Sequence, residues 1–201
     1  MHIRPQTPPW APWLSWILGN TAGAAIGVAV ATSAILMLGA DEDGVASFVL
    51  AAAIAACMVM AQWLVIRQYL PRAIWWILAS VVGVFVGAAT IGVVAWIAEA
   101  ALGGDLVATT MRGTVGMVVP YSLYGASIGF TQWLFLRRHI SHAGWWILAS
   151  ALGAAALGAV MGGSIGNTAK LVWVGAIPAA ITGIALAALI RQPIAANSSM
   201  A

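Results

Sequence analysis

The stretch QWLVIRQYLPRAIWWILAS at residues 62–80 returns seventy residues later as QWLFLRRHISHAGWWILAS at residues 132–150. Eleven of the nineteen positions are identical. Each copy contains the end of one apolar run, a short basic turn and the start of the next apolar run. The duplication therefore predicts two similar helical hairpins that are joined through their basic turns.

The composition is typical of a membrane protein. Hydrophobic residues make up 63% of the chain, charged residues make up 6%, and the mean hydropathy is +1.00. Soluble domains carry about 25% charged residues, and a membrane-spanning helix needs about 20 apolar residues. Runs of suitable length occupy 13–38, 45–66, 74–98, 114–136, 144–166 and 171–190. We therefore predict an all-α polytopic protein with one six-helix transmembrane domain at 13–191, an N-terminal segment at 1–12 and a C-terminal tail at 192–201.

The charges separate by sign if the chain crosses the membrane six times. One side receives only bases: Arg4, Arg67, Arg72, Arg137, Arg138 and Arg191. The other side receives two bases and all the acids: Arg112, Lys170, Asp41, Glu42, Asp43, Glu99 and Asp105. Because Lys and Arg near helix ends favour the cytoplasmic side, we expect both termini to be cytoplasmic and the location to be a bacterial inner (plasma) membrane. The bases form no stripe, so we expect no nucleic-acid partner.

Tryptophans cluster at the same predicted ends. Nine of the eleven lie there: Trp10, Trp13, Trp16, Trp63, Trp75, Trp76, Trp133, Trp145 and Trp146. Indole rings favour membrane interfaces, where the ring is buried and the N–H stays hydrated. We therefore interpret the two Trp-Trp pairs as part of an interfacial belt rather than as a ligand platform.

A third copy of the hairpin is visible in divided form. The tripeptide IRQ at 190–192 matches IRQ at 66–68, and WILGN at 16–20 echoes WILAS at 76–80. The last and first helices would then form a third hairpin, with the two termini in place of its turn. This pattern predicts a closed ring with pseudo-threefold symmetry. The alternative is two true repeats with ordinary flanking helices.

Glycines recur at intervals of four residues in four of the predicted helices. They are Gly19, Gly23 and Gly27; Gly83 and Gly87; Gly125 and Gly129; and Gly158, Gly162 and Gly166. Such stripes let helix backbones approach closely in lipid. We therefore expect a tightly packed bundle, while the pattern leaves a homo-oligomer open.

Polar residues occupy equivalent depths in the two copies. Gln62 and Ser80 lie roughly 6–8 Å inside the interface at 1.5 Å per helical residue, and Gln132 and Ser150 repeat them. Asn20, which faces an apolar position in the last helix, forms a degenerate version. These side chains either line a polar vestibule or make interhelical hydrogen bonds. We favour hydrogen bonds that set hairpin register, with Gln62 paired to Ser80.

The fourth predicted helix carries the most polar face. Its candidate residues are Tyr121, Tyr124, Ser127, Thr131 and Gln132, which fall within an arc of about 140° at 100° per residue. Pro120 removes a backbone hydrogen bond and is a possible kink. The face either borders a ligand site or packs against neighbouring backbones, and the pattern alone does not decide between them.

The chemical inventory is otherwise small. No Asp, Glu, Lys, Arg or His falls within a predicted hydrocarbon core, and Cys57 is the one cysteine. Proton-coupled transport usually depends on an ionisable group inside the membrane. We therefore predict no catalytic residue, no metal site and no cofactor, and we expect that the protein is not an enzyme.

The pattern QWLxxR…WWILAS resembles the tandem segments of uncharacterised multi-pass membrane proteins of bacteria. That resemblance covers about half the chain and implies no activity. Size and helix number are also similar to those of the substrate-binding subunits of bacterial vitamin importers, a likeness of architecture alone.

Two functional hypotheses follow from the sequence. The first is a non-catalytic scaffold or accessory subunit of a membrane assembly, whose partners are the lipid bilayer and other membrane subunits or a second copy of the chain. The alternative is a small-solute carrier or channel component with a site along the fourth helix. A packed bundle axis would favour the scaffold, and a cavity lined by the tyrosines and glutamines would favour the carrier.

Overall fold

The computed structural model describes residues 8, 10–39, 43–111, 114–161 and 172–191. These residues form seven α-helices and no β-strand. The helices are α1 (Ala11–Leu38), α2 (Asp43–Ile66), α3 (Ile74–Leu102), α4 (Gly104–Met111), α5 (Thr114–Leu136), α6 (Trp145–Met161) and α7 (Val172–Ile190). The prediction of an all-helical protein is confirmed.

Four helices are long and apolar enough to cross a membrane. They contain the segments Ala11–Met37, Val45–Ile66, Ile74–Leu102 and Trp173–Ile190. Helix α6 is a shorter apolar helix of 17 residues, and its predicted end at residue 166 lies outside the described residues. These helices indicate a membrane protein.

Helix α4 was not predicted, because its residues were assigned to a connecting loop. Gly103 has φ 84°, and this backbone conformation separates α3 from α4. Helix α4 has eight residues, so it extends only about 12 Å at 1.5 Å per residue. It is too short to cross a bilayer.

The long helices close into a ring. In order, α1 contacts α2, α2 contacts α3, α3 contacts α5, α5 contacts α6, α6 contacts α7, and α7 contacts α1. The short α4 contacts α3 and α5. The contact between α2 and α3 is much less extensive than those between the other neighbours in the ring. The last helix therefore lies beside the first.

Two turns of equivalent sequence lie at one end of the bundle, which we call the Arg-bearing end. The backbone N–H of Trp75 donates to Arg72 O, and that of Trp145 donates to His142 O, both at 3.2 Å. Arg72 and His142 have left-handed φ angles of 54° and 59°. The two turns therefore share their hydrogen bonding and their backbone conformation.

The main buried cluster lies at the Arg-bearing end. It comprises Trp16, Val65, Ile66, Ala73, Trp76, Phe135, Leu136, Ala143, Trp146, Ala179, Leu186 and Leu189. Elsewhere, large apolar side chains such as Phe48, Phe85 and Trp96 are exposed on the bundle surface. An apolar outer surface is what lipid contact requires, since lipid offers no hydrogen-bond partners.

Close approach between helices depends on glycine at several contacts. A Cβ added to Gly27 of α1 would lie 2.5 Å from Ile54 Cα of α2. A Cβ added to Gly125 of α5 would overlap the carbonyl oxygen of Ser150 in α6. Of the predicted stripes, Gly162 and Gly166 lie outside the described residues.

Candidate functional site

Three tryptophans meet at the centre of the bundle, and we call them the tryptophan triad. The ring centroids of Trp16, Trp76 and Trp146 are separated by 6.0, 5.7 and 5.6 Å. The rings meet edge to face, at interplanar angles of 82°, 77° and 72°. Their exposed fractions are 1%, 0% and 1%. The triad fills the bundle axis at this level.

The triad arises because each tryptophan lies near the start of a helix, in α1, α3 and α6. Consecutive residues on a helix point about 100° apart, so the two members of a Trp-Trp pair face different ways. Trp75 and Trp145 are 56% and 65% exposed, whereas the residues that follow them are fully buried. The prediction that all these tryptophans form an interfacial belt is therefore wrong for the triad. A usable signal was present, since only the triad position is Trp in all three sequence echoes.

Each indole N–H of the triad is satisfied by a side chain of a neighbouring helix. Trp76 Nε1 donates to Gln62 Oε1 at 3.2 Å. Trp146 Nε1 donates to Gln132 Oε1 at 2.8 Å. An unsatisfied buried donor costs about 1–3 kcal/mol, so these bonds determine which face each glutamine-bearing helix turns inward.

The same glutamines also reach the helix on their other side. Gln62 Nε2 donates to Asn20 Oδ1 at 2.8 Å, and Gln132 Nε2 donates to Ser80 Oγ at 2.9 Å. The predicted pairing of Gln62 with Ser80 is therefore wrong, because each amide extends into the neighbouring hairpin rather than across its own. The prediction placed the right residue types at the right depth but chose the wrong neighbour.

The third indole uses a different acceptor. Trp16 Nε1 donates to Thr182 Oγ1 at 2.9 Å, and Thr182 Oγ1 donates to Pro178 O at 2.8 Å. Leu186, the register equivalent of the two glutamines, is fully buried and apolar. The threonine replaces the missing amide one helical turn further from the Arg-bearing end, which sequence reasoning did not find.

Five residues accept a hydrogen bond from a triad indole or from the side chain of a glutamine that does so, and we call them the polar girdle: Asn20, Gln62, Ser80, Gln132 and Thr182. Its hydrogen bonds to the triad and within itself connect all six long helices, in the groups α7–α1, α1–α2–α3 and α3–α5–α6. Its members are uncharged; Gln62 donates to Asn20 and Gln132 donates to Ser80, while Thr182 bonds to Trp16 and to the backbone of α7. This chemistry holds helices in register and contains no nucleophile with an adjacent base.

The two tyrosines of α5 are packed against different neighbours. The Tyr124 ring lies against Gly87 of α3, where an added Cβ would be 2.6 Å from Tyr124 Cδ2. Tyr121 Cβ lies beside Gly158 of α6, 2.9 Å from an added Cβ. The structure thus divides this pair between the two flanking helices.

The hydroxyls on the same face bond to their own helix. Ser127 Oγ donates to Leu123 O at 2.9 Å, and Thr131 Oγ1 donates to Ile128 O at 2.8 Å. Ser150, the remaining candidate, is buried on α6 beside Gly129. The serine and threonine hydroxyls of this face thus bond to backbone carbonyls of α5 itself.

Two shallow grooves of the described structure do not touch the triad, the polar girdle or the two tyrosines. Both grooves lie at the Arg-bearing end of the bundle. Within the described ranges, no group of three His, Cys, Asp or Glu residues comes together as a metal site. At the level of the triad and the polar girdle, the described bundle is packed and hydrogen-bonded.

The chain matches no protein-family model, no curated protein and no solved structure. The contacts within the chain therefore carry the functional argument.

Proposed function

We propose that the chain is an integral membrane protein that crosses the bilayer six times, through α1, α2, α3, α5, α6 and α7. Four of these helices meet the length and apolarity needed for a span. Helix α5 has 23 residues and α6 has 17, and spans of about 17–25 residues occur in membranes. Both α5 and α6 also bond to the same triad and girdle as the longer helices, which supports their placement at the same depth.

The six spans form three hairpins, α2–α3, α5–α6 and α7–α1, the last one split by the termini. Three equivalent indoles, each bonded to a side chain of its hairpin partner, support this assignment. The contact between α7 and α1 supports it as well. The kinship with bacterial multi-pass proteins that carry similar tandem segments stays a prediction.

The Arg-bearing end faces the cytoplasm of a bacterial cell, and both termini lie on that side. Five described bases, Arg67, Arg72, Arg137, Arg138 and Arg191, lie at this end, while Glu99 and Asp105 lie at the other. Positive residues near helix ends are retained on the cytoplasmic side. Labelling of introduced cysteines tests this: Asp105→Cys is expected to react with an impermeant thiol reagent outside intact cells, and Gln68→Cys is not.

The protein acts as a non-catalytic scaffold or accessory subunit of a membrane assembly. The single observation that carries this proposal is the tryptophan triad, which fills the bundle axis with three fully buried indoles. A carrier or channel along that axis would need an opening at this level. The partners of the scaffold are the lipid bilayer and membrane subunits that contact its apolar outer surface, and they do not include nucleic acid.

Two measurements test the scaffold. Purification in mild detergent after cross-linking in cells is expected to recover a membrane protein, or a second copy of the chain, in fixed stoichiometry. Proteoliposomes that hold the purified chain are expected to release entrapped small solutes no faster than protein-free liposomes. Faster release, abolished by Tyr121→Phe with Tyr124→Phe, would instead support the carrier alternative with a site along α5.

A further inference from the structure

A groove opens at the Arg-bearing end, between the start of α1 and the last turn of α7. Its volume is about 300 Å³. Two indoles, an apolar floor and one guanidinium line it: Trp10, Trp13, Ile184, Ala187, Ala188 and Arg191. One wall is fixed, because Trp13 Nε1 donates to Ala180 O at 3.2 Å. We call this the α1/α7 groove.

The corresponding positions of the other two hairpins are filled by an indole under a guanidinium. Arg67 Cζ lies 4.8 Å from the ring centroid of Trp63, and Arg137 Cζ lies 5.0 Å from that of Trp133. In both pairs the tryptophan precedes the arginine by four residues, so one helical turn brings the two side chains together. Each of these arginines covers an apolar surface supplied by its own helix.

Helix α7 departs from this arrangement at one position. Arg191 corresponds in register to Arg67 and Arg137, but the residue four positions before it is Ala187. The methyl group of Ala187 forms part of the groove floor, where the other hairpins have an indole. The groove is thus an apolar space beside a fixed positive charge, at the end of the bundle that would meet the membrane interface.

The charges around the groove select for an anion. In the part of the chain that the structure describes, the charged residues at this end are all arginines. A guanidinium group binds phosphate through two parallel N–H donors. Basic residues near a membrane surface also attract anionic lipid headgroups. The groove floor of alanine and isoleucine matches an acyl chain rather than a polar ligand.

We propose that the α1/α7 groove binds one anionic phospholipid. The phosphate lies against Arg191, and the first part of an acyl chain lies over Ala187 and Ala188, between the indoles of Trp10 and Trp13. This inference rests on the proposed membrane placement and hairpin register. It assigns to the degenerate hairpin a site that the two complete hairpins lack, because their own tryptophans occupy it.

Lipid titration of the delipidated full-length chain tests the site. Binding of the first phosphatidylglycerol and of the first phosphatidylcholine is measured by native mass spectrometry. We expect phosphatidylglycerol to bind about fivefold more tightly, the effect of one basic residue near the surface. Ala187→Trp, which places an indole in the groove, and Arg191→Gln are each expected to reduce this ratio to about one.

Two matched controls separate the groove from general effects of bulk and charge. Leu64→Trp adds an indole at an exposed position of α2 outside the groove. Arg67→Gln removes a base from the same end of the bundle, at a position outside the groove. Both controls are expected to keep the roughly fivefold preference of the unmodified chain.

An unchanged preference in both Ala187→Trp and Arg191→Gln would overturn the proposal. An equal loss in Arg191→Gln and Arg67→Gln would also overturn it, since general charge would then explain binding. If Ala187→Trp fails to fold, Arg191→Gln still decides. Failure of the unmodified chain to fractionate with membranes would sink the membrane placement, which is a separate outcome from a lost lipid preference.

Discussion

The hairpins α2–α3 and α5–α6 begin from nearly the same turn but pack differently beyond it. Both turns have the same hydrogen bonds and a left-handed residue at the equivalent position, and both present a tryptophan to a glutamine. Helices α5 and α6 nevertheless remain in contact over much of their length, whereas α2 and α3 touch much less. The turn therefore does not determine how closely two helices pack.

The difference follows from side-chain bulk one to two turns beyond the glutamine. A Cβ added to Gly129 of α5 would be 2.7 Å from Ser150 Cβ of α6, and one added to Gly125 would be 2.5 Å from Ala154 Cβ. The positions of the first hairpin equivalent to Gly129 and Ala154 are Val59 and Val84. Branched side chains therefore stand at the positions where the tightly packed hairpin has glycine and alanine, and bulk there opposes close backbone approach. The turn and its tryptophan thus select the partner, and small residues set the distance.

Each of the two hairpins contributes one tryptophan to the triad. We expect removal of either ring to give the largest loss of stability, and the loss to be similar in the two hairpins. Trp146→Ala and Trp76→Ala are each expected to lower the free energy of unfolding by about 3–5 kcal/mol, because a buried ring is replaced by a cavity. Trp145→Ala is the matched control, since its ring is exposed. Thermal and denaturant unfolding in detergent measure the difference. A loss confined to the α5–α6 hairpin would show that the two hairpins differ at the triad itself.

The glycine contact should distinguish the hairpins. Gly129→Val installs the residue of the first hairpin in the second, and we expect a loss of about 1–3 kcal/mol from overpacking against Ser150. Gly92→Val is the control, because a Cβ at Gly92 has no neighbour within 4 Å. Equal unfolding temperatures for the two variants would contradict the role assigned to small residues.

Loss of the glutamine should also destabilise the protein more in the α5–α6 hairpin than in the α2–α3 hairpin. Gln132 is 4% exposed, whereas Gln62 is only partly buried. Gln132→Leu leaves two buried groups without their partner, and we expect a loss of about 1–2 kcal/mol. Gln62→Leu is expected to cost less, because the protein encloses its site only in part. A larger loss for Gln62→Leu in unfolding measurements would reverse this ranking.

Coupling between girdle residues identifies which pairs are bonded. A double-mutant cycle on Gln132→Leu and Ser80→Ala is expected to give a coupling free energy of about 0.6 kcal/mol, the usual value between membrane helices. The same cycle on Gln62→Leu and Ser80→Ala is expected to give no coupling, because the structure shows no shared bond. Coupling in the second cycle alone would restore the pairing within one hairpin.

Sequence reasoning was sufficient where a local pattern determines the outcome. Apolar length predicted the four helices that are long and apolar enough to cross a membrane. The second IRQ and the echo of WILAS in WILGN predicted α7 beside α1, as the structure has it. The common level of Gln62, Ser80, Gln132 and Asn20 along the bundle was also predicted, because helical rise converts sequence position into distance along the helix, and their hydrogen bonds agree with it.

Partner choice required three-dimensional information. Whether Gln132 reaches Ser80 or Ser150 depends on how each helix is rotated about its own axis. The sequence does not specify this rotation, because apolar residues occur on every face of these helices. For the same reason the sequence did not show that Trp76 points into the bundle, since either Trp75 or Trp76 could lie at a membrane interface. Helix α4 and Thr182 lay outside the repeats, so no comparison between copies indicated them.

The smallest expected change in stability concerns the left-handed turn residue that the two hairpins share. Arg72 and His142 adopt left-handed φ angles of 54° and 59°, which cost a non-glycine residue about 1–2 kcal/mol. Glycine removes this cost but adds about 0.4–1 kcal/mol of unfolded-state entropy, so Arg72→Gly and His142→Gly should each raise the free energy of unfolding by about 0.5 kcal/mol. Arg138→Gly, at an exposed turn position without a positive φ, gains nothing and should lower it. Because the turns match, the gain should be the same in the loosely packed and the tightly packed hairpin. A gain in only one of them would show that helix packing beyond the turn also strains the turn itself.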